Sequence, residues 1–449
     1  MKKKYFIKTY GCQMNVYDSH RMAMMLENEG YEKTDRQDDA YLVLFNTCHI
    51  REKAAEKLFS DLGRAAIIKN ERSEKGLDTI IGVAGCVVQA EDEQIFKRAS
   101  YVDFAFGPLT YHRLPQILKD IENKKKQNVL DTEFPAESKF DFLPENKAEG
   151  GCSFLAIQEG CDNFCTYCVV PYTRGIEYSR PVKDVLDEAE RLIATGTLEI
   201  NLLGQNVNSY HGEDENGKER SLAYLINKLA ELDGLKRLRY TTSYPADVTD
   251  ELIACHKNVG ILMPYLHLPV QSGSNKILKL MNRRHTRETY IETVQKLKEA
   301  NPKLEMSSDF IVGFPCETDE DFEQTLDLVD QIGYIQAFSF KYSKRPGTPA
   351  ATMDGQVSEK IKKERLDVLQ AKLFALQEKF NISCVGQTFD VLFEEFGRHK
   401  GQLIGRTPYM QNVHAAASSD MMGKIAKVQI EGATTNSLEG KVIEKSGTN

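Results

Sequence analysis

The residues most able to carry chemistry are three cysteines near the middle of the chain, Cys161, Cys165 and Cys168, in the run CDNFCTYC. Thiolates at this spacing can hold three irons of a four-iron cluster. Because neither Cys nor His follows before His211, the fourth iron is predicted to be open, as catalytic metal sites are. A structural zinc site completed by a distant ligand is the alternative. The motif follows the first strand of a large domain that needs no metal to fold, and this favours a catalytic cluster.

Three further cysteines, Cys12, Cys48 and Cys86, each follow a predicted strand in the first part of the chain. The strands are predicted at Tyr5 to Tyr10, Tyr41 to Phe45 and Thr79 to Val83. Because the carboxyl ends of parallel strands share one edge of a sheet, the three thiols are expected to converge. Polar or glycine neighbours flank each of them, so three unrelated core thiols are the weaker interpretation. The spacing therefore predicts a second cluster.

The remaining cysteines have no common spacing and are interpreted as ordinary core or surface thiols: Cys152, Cys255, Cys316 and Cys384. His49 lies beside Cys48, but a single His is more often a hydrogen-bonded polar residue than a ligand. We therefore assign His49 to no metal.

The elements that must position these thiols alternate between strand and helix, which is typical of an α/β protein with parallel sheets. Six strand-helix units follow the first sheet and predict a partial (β/α)6 barrel. Their strands are predicted to begin near Phe154, Glu199, Leu238, Tyr265, Leu304 and Ala337. A helix over Ser358 to Phe380 closes this block, and glycine-separated β runs after it predict a small OB-like β-barrel. The predicted domains are 1–121, 151–380 and 381–449, with a linker at 122–150.

The composition limits the cellular setting. The chain has 449 residues, ten cysteines and a formal net charge of −8. No stretch approaches the roughly 18 apolar residues of a membrane span, and we expect neither a signal peptide nor a membrane anchor. We expect a cytoplasmic protein, whose thiols stay reduced and are available for metals. The negative charge means that a nucleic-acid partner would have to meet a local basic surface.

Nine segments in order along the chain resemble the radical S-adenosylmethionine methylthiotransferases, in particular their tRNA-modifying MiaB type. The segments are Thr9–Asn15, Asn46–Ala54, Gly85–Cys86, Glu159–Cys168, Val169–Gly175, Leu202–Asn208, His267–Ser274, Asp309–Pro315 and Tyr342–Ala350. The family usually reads GFPGET where this chain has Cys316 in GFPCET. A side chain in place of Gly restricts φ at that turn, and we do not expect Cys316 to be a ligand.

The resemblance implies two four-iron four-sulfur clusters. Cys12, Cys48 and Cys86 would hold an auxiliary cluster in a methylthiotransferase domain. In the radical SAM barrel, Cys161, Cys165 and Cys168 would hold the catalytic cluster that binds S-adenosylmethionine at its open iron. The terminal module would be an RNA-binding TRAM domain. Four residues after barrel strands would lie beside S-adenosylmethionine: Gly204, Gln205, Ile311 and Gly313.

The implied reaction adds a methylthio group at carbon 2 of N6-isopentenyladenosine at position 37, next to the tRNA anticodon. This aromatic C–H has no useful acidity, so a radical is needed in place of a base. In such families a reduced cluster cleaves S-adenosylmethionine to a 5′-deoxyadenosyl radical, and the auxiliary cluster supplies sulfur; the cofactors carry the difficult chemistry.

The implied partners are the tRNA anticodon stem-loop, an electron donor such as a flavodoxin or ferredoxin, and a sulfur donor, with no membrane. The terminal module has seven Lys or Arg and seven Asp or Glu between Asn381 and Asn449. Six of its residues are candidates for phosphate contact or base stacking: Lys400, Arg406, Lys424, Lys427, Phe396 and Tyr409. A β module would expose such residues for solubility alone, and this explanation is equally good.

Two other functions compete with this interpretation. A methylthiotransferase of the same family acting on an aspartate of a ribosomal protein would use identical cluster chemistry, although Asn46–Ala54 and Arg345–Pro349 favour the tRNA branch. A zinc-stabilised RNA-binding protein would need no catalysis. Metal analysis separates the second of these, because zinc without acid-labile sulfide would support it.

Overall fold

The structure is a computed structural model that describes residues 2–48, 52–123 and 128–445. His49, residues 124–127 of the predicted linker and residues 446–449 of the terminal module lie outside the described residues. The chain forms two compact units. The first contains residues 1–146, 159–162 and 168–177, and the second contains residues 147–158, 163–167 and 178–449.

The strands are β1 (Lys4–Thr9), β2 (Glu32–Lys33), β3 (Leu42–Thr47), β4 (Ile80–Gly85), β5 (Phe104–Phe106), β6 (Val129–Asp131), β7 (Cys152–Ala156), β8 (Gln158–Glu159), β9 (Tyr178–Ser179), β10 (Glu199–Leu203), β11 (Arg237–Thr241), β12 (Tyr265–His267), β13 (Glu305–Val312), β14 (Gln336–Lys341), β15 (Thr388–Phe396), β16 (Gln402–Arg406), β17 (Asn412–Ala416), β18 (Ile425–Ala433) and β19 (Leu438–Lys445). The helices are α1 (Gln13–Asn28), α2 (Glu52–Ser73), α3 (Cys86–Glu91), α4 (Gln94–Arg98), α5 (Leu114–Glu122), α6 (Val170–Arg174), α7 (Val182–Ala194), α8 (Leu222–Ala230), α9 (Asp250–Asn258), α10 (Asn275–Leu280), α11 (Arg287–Ala300), α12 (Asp319–Ile332) and α13 (Glu359–Ser383).

The first unit is built on a six-stranded sheet in the order β2-β1-β3-β4-β5-β6. Its neighbouring strands are parallel throughout. Strands β3 and β4 are buried along their whole length, because apolar clusters cover both faces of the sheet. Such strands read as continuous apolar runs. The predicted parallel α/β fold of this block is confirmed.

Part of the predicted linker is folded against the first unit. Strand β6 pairs with β5 from Phe104↔Val129 to Phe106↔Asp131, and Lys139 is buried. A three-residue edge strand is too short for alternation to reveal it in the sequence. The domain boundaries themselves stay a prediction.

The second unit contains the six parallel strands that the sequence predicts. They form two three-stranded sheets, in the orders β11-β10-β7 and β12-β13-β14. A parallel bridge pairs Leu238 of β11 with Leu262, which lies just before β12. One large apolar cluster packs these two sheets, which we call the half-barrel, against their helices, and Leu202 and Met306 are fully buried in it. The carboxyl ends of its strands therefore form one edge on which ligands can bind.

Helix α13 leads into the terminal module, and Ser358 caps it by accepting a hydrogen bond from the Ile361 N–H. Strands β15 to β19 close into a barrel in the order β15-β16-β17-β19-β18. An apolar interior that includes Val391 and Val428 fills it. The predicted small β-barrel is confirmed.

No helix among residues 2–48, 52–123 and 128–445 is both long and apolar enough to cross a bilayer.

Candidate functional site

The sheet of the first unit brings three cysteines to one edge, as their spacing predicts. Cys12 is the residue before α1, Cys48 directly follows β3, and Cys86 is the first residue of α3 after β4. Strand β3 lies between β1 and β4. All ten cysteines of the chain lie in its described part, and none forms a disulfide.

Close backbone packing brings the thiols together. A Cβ added at Gly11 would lie 2.2 Å from the Cβ of Cys48 and 2.9 Å from its sulfur. A Cβ at Gly85 would lie 2.3 Å from the carbonyl oxygen of Thr47. Both glycines also have positive φ, +109° and +96°, a conformation that side chains disfavour. The loops therefore reach this separation only because neither position carries a side chain.

The environment of the thiols favours a thiolate at one position. The pKa of Cys12 is lowered to about 6, chiefly by a hydrogen bond from Cys48. Burial acts against this and raises the pKa, whereas the positive charge of Arg174 lowers it further. Burial raises the pKa of Cys86, although Arg174 again acts in the opposite direction. Thiolate is the form that binds metals, so Arg174 assists the ligand form of both side chains.

Arg174 belongs to a buried network of charges beside these cysteines. Its guanidinium donates to Glu159 Oε1 at 2.6 Å, to Asp18 Oδ2 at 2.8 Å and to Asn15 Oδ1 at 3.2 Å. The ammonium of Lys139 donates to the same Glu159 oxygen at 2.7 Å. Two cations and two carboxylates thus neutralise one another, which buried charges require.

The motif Cys161, Cys165 and Cys168 occupies the loop between β8 and α6. The sulfur of Cys165 accepts a hydrogen bond from Arg283 Nη1 at 3.7 Å, and that of Cys168 accepts one from the Val170 N–H at 3.5 Å. The Cys161 N–H donates to the carbonyl of Gly175 at 3.3 Å. Donors thus already face two of the three sulfurs.

Among residues 2–48, 52–123 and 128–445, no three His, Cys, Asp or Glu side chains are arranged as ligands of a single metal ion. An iron-sulfur cluster has another requirement, since each of its cysteines binds a different iron. Three cysteines at one sheet edge, with a cation beside two of them, fit that requirement in the first unit. In the loop of Cys161, the three thiols and their spacing along the chain fit the same requirement.

The four residues predicted to contact S-adenosylmethionine lie at the carboxyl edge of the half-barrel. Gly204 and Gln205 follow β10, Ile311 lies near the end of β13, and Gly313 follows it. Close packing against neighbouring side chains is by itself a sufficient reason for glycine at both Gly204 and Gly313. A Cβ at Gly204 would lie 2.4 Å from Gln158 Oε1, and one at Gly313 would lie 2.3 Å from Cγ of Lys362.

Cys316 has a φ of +66°, so this turn keeps the left-handed backbone conformation, which a side chain disfavours. Its N–H donates to Gly355 O at 2.8 Å and its thiol lies 3.4 Å from Asp354 O. No other thiol is among these partners.

The network residues were not predicted from the sequence as members of a site. One signal was present, because Cys12, Asn15 and Asp18 recur at intervals of three at the start of a helix, which places them on one face. Both Asn15 and Asp18 are buried, whereas such polar residues usually lie on the outer face of a helix.

Comparison with known proteins identifies the family. Three family profiles match the chain: the uncharacterized protein family UPF0004 over residues 4–107, the Radical SAM superfamily over 155–329 and the TRAM domain over 383–443. The tRNA-2-methylthio-N(6)-dimethylallyladenosine synthase of Agrobacterium fabrum is 54% identical over 98% of this chain and 97% of its own length. That of Rickettsia canadensis is also 54% identical, over 98% and 100%. The chain belongs to the radical S-adenosylmethionine methylthiotransferase family. The family resemblance inferred from the sequence is thereby confirmed.

Solved structures share the fold with this methylthiotransferase. The radical S-adenosylmethionine methyltransferase TsrM from Kitasatospora setae matches with a TM-score of 0.57 at 14% identity, over 78% of this chain and 74% of its own. The cobalamin-dependent radical enzyme OxsB matches with a TM-score of 0.52 at 14% identity, over 84% and 58%. At such low identity these matches support the architecture alone.

Proposed function

We propose that this chain is a tRNA methylthiotransferase that uses two four-iron four-sulfur clusters and S-adenosylmethionine to place a methylthio group on carbon 2 of N6-isopentenyladenosine at position 37. One observation carries the proposal: a second set of three cysteines converges beside a buried cation, in a chain that already has the radical-type cysteine loop. Hydrogen abstraction needs one cluster with an open iron, whereas methylthio transfer also needs a source of sulfur, which a second cluster can supply.

The proposed ligands of the auxiliary cluster are Cys12, Cys48 and Cys86. Burial of Cys48 and Cys86 keeps water from two of the ligands. The close approach of Gly11 to Cys48 holds two of the loops at a fixed separation. These observations support three thiolate ligands at this edge of the sheet.

The proposed ligands of the catalytic cluster are Cys161, Cys165 and Cys168, and the bound cofactors supply hydrogen abstraction and sulfur at carbon 2 of the adenine. The chain fixes the loop around Cys165 by backbone hydrogen bonds on both sides. The Thr166 N–H donates to Met281 O at 3.1 Å, and the Ala350 N–H donates to Thr166 O at 2.9 Å. The amide of Asn282 donates to the carbonyl oxygens of Asn163 and Phe164 at 3.2 and 3.1 Å.

S-adenosylmethionine is proposed to bind along Gly204, Gln205, Ile311 and Gly313. Their place at the carboxyl edge of parallel strands supports this, since ligands of such sheets bind there. Gly313 has a second task, because its N–H donates to Glu317 Oε1 at 2.8 Å and fixes the turn after β13.

The terminal barrel is proposed to hold the tRNA backbone. Two of the residues considered from the sequence already contact other side chains: Arg406 pairs with Glu394 at 2.8 Å, and Tyr409 packs edge-on against Phe380 and Phe389. The remaining candidates are exposed and are the proposed contact residues: Phe396, Lys400, Lys424 and Lys427. An exposed aromatic ring and exposed cations on the same module suit single-stranded RNA.

We further propose a cytoplasmic enzyme that receives electrons from a small donor such as a flavodoxin or ferredoxin, and sulfur from a separate donor. Ten cysteines without a disulfide suit a reducing compartment. Rebuilding a sulfide after each turnover requires sulfur from outside the chain, because no bound group is regenerated by the transfer itself.

Nucleoside mass spectrometry tests the substrate. The anaerobically reconstituted enzyme should convert isopentenylated tRNA to its 2-methylthio form, and a variant with Cys12, Cys48 and Cys86 replaced by Ala should not. Unmodified tRNA together with methylthiolation of a ribosomal protein under the same conditions would establish the competing protein substrate.

A further inference from the structure

We propose that Arg174 is a positioning residue for the auxiliary cluster: its buried guanidinium, which reaches Cys12 through Asn15, holds the reduction potential of that cluster at a more positive value. Arg174 lies in the segment that follows the CDNFCTYC loop, so the segment carrying one set of cysteines completes the surroundings of the other set. This inference rests on the proposed ligand role of Cys12, Cys48 and Cys86.

The guanidinium is placed for this role by helix packing. Arg174 is the last residue of α6, Cys86 is the first residue of α3, and these two helices pack against each other in the first unit. The Arg174 side chain is 3% exposed, so solvent screens its charge weakly.

Two carboxylates prevent the guanidinium from moving away. Nη1 is held by Glu159 at 2.6 Å and Nη2 by Asp18 at 2.8 Å. Asn15 accepts from the same Nη2, and its side-chain oxygen lies 3.8 Å from the Cys12 sulfur. The network therefore reaches the Cys12 thiol through Asn15, and residues of both α1 and β8 fix its geometry.

The charge of Arg174 acts on the cluster in one direction. Reduction adds negative charge to the cluster, which a nearby buried cation stabilises. The Asp18 carboxylate carries the opposite charge and lies 2.8 Å from the same guanidinium, so it acts on the cluster in the opposite direction. Removing the charge of Asp18 should therefore shift the potential in the direction opposite to removing that of Arg174, and this difference makes the inference testable.

The experiment uses the full chain with Cys161, Cys165 and Cys168 replaced by Ala, so that only the auxiliary cluster remains. Its midpoint potential is measured by redox titration followed by electron paramagnetic resonance. Arg174→Gln should shift the midpoint to more negative values, and Arg174→Lys should shift it less because the charge is kept. Asp18→Asn, which keeps the shape of the side chain, should shift it to more positive values.

Arg283→Gln is the matched control. Arg283 is a half-buried arginine that also donates to a cysteine sulfur, but the sulfur is that of Cys165, so the auxiliary midpoint should not change. Asp18→Asn keeps the test decisive if Arg174→Gln does not fold. Two results in variants with full iron content would overturn the inference but not the ligand set. One is a midpoint that Asp18→Asn does not change, and the other is a midpoint that Asp18→Asn and Arg174→Gln shift in the same direction. A parent chain that binds no iron would overturn the proposed ligand set and the inference with it.

Discussion

Gly11→Ala should remove the auxiliary cluster while leaving the catalytic one in place. The new Cβ would lie 2.2 Å from the Cβ of Cys48, an atom next to the backbone that no rotamer change can move. The φ of +109° adds about 1 to 3 kcal/mol of backbone strain. Overpacking against Cys48 adds about 1 to 3 kcal/mol more. The loops of Cys12 and Cys48 must therefore separate.

Gly30→Ala is the matched control for this substitution. Gly30 also has positive φ, +85°, in the same unit, but a Cβ there would meet nothing within 4 Å. It should suffer the strain alone, so the two apo-variants should differ by about 1 to 3 kcal/mol in the free energy of unfolding. Urea titration of the first unit's unfolding measures this difference.

Iron and acid-labile sulfide are then counted after anaerobic reconstitution. The wild-type chain and Gly30→Ala should each bind about eight irons, and Gly11→Ala about four, as expected for two four-iron clusters with one lost. If Gly11→Ala bound as much iron as Gly30→Ala and unfolded at the same urea concentration, the close approach of these loops would have no part in building the site.

Three further outcomes are expected. Cys161→Ala should abolish formation of 5′-deoxyadenosine from S-adenosylmethionine. The variant with Cys12, Cys48 and Cys86 replaced by Ala should still form 5′-deoxyadenosine but no methylthiolated product. Assays of both products check this, and normal deoxyadenosine formation by Cys161→Ala would contradict the assignment. Replacing Lys400, Lys424 and Lys427 by Ala should weaken tRNA binding and lower the slope of log affinity against log salt by about 2 to 3, given about 0.7 to 0.9 per phosphate contact; filter binding at several salt concentrations measures it, and an unchanged slope would exclude these lysines. Gln205→Ala should weaken S-adenosylmethionine binding about 2- to 10-fold, the effect of one neutral hydrogen bond; equilibrium dialysis with the reconstituted enzyme checks this, and an unaltered affinity would remove Gln205 from the site.

Local patterns in the sequence determined much of the architecture. The predicted strand starts Glu199 and Tyr265 coincide with β10 and β12, and Leu238 lies one residue after the start of β11. Continuous apolar runs, turn residues and helical periods are properties of a few neighbouring residues, so they can be recognised without the fold. The rule that carboxyl ends of parallel strands share an edge then brought Cys12, Cys48 and Cys86 together.

Tertiary structure decided what surrounds those thiols. Arg174 and Asp18 are 156 residues apart along the chain, and Lys139 reaches Asp18 across 121 residues. No periodicity links residues at such separations, and each of them reads locally as an ordinary charged residue of a helix or loop. The burial that makes their pairing necessary exists only after the helices have packed.

The same division applies to the glycines and to β6. The sequence shows that Gly11 precedes Cys12, but only the paired strands β1 and β3 bring Cys48 against it. Strand β6 is ordered because β5 offers it a partner edge, and its three residues carry too little pattern to predict it. Local sequence therefore determines which residues are the ligands and their order along the chain. The distances between the ligand side chains and the charges around them follow from packing between distant segments.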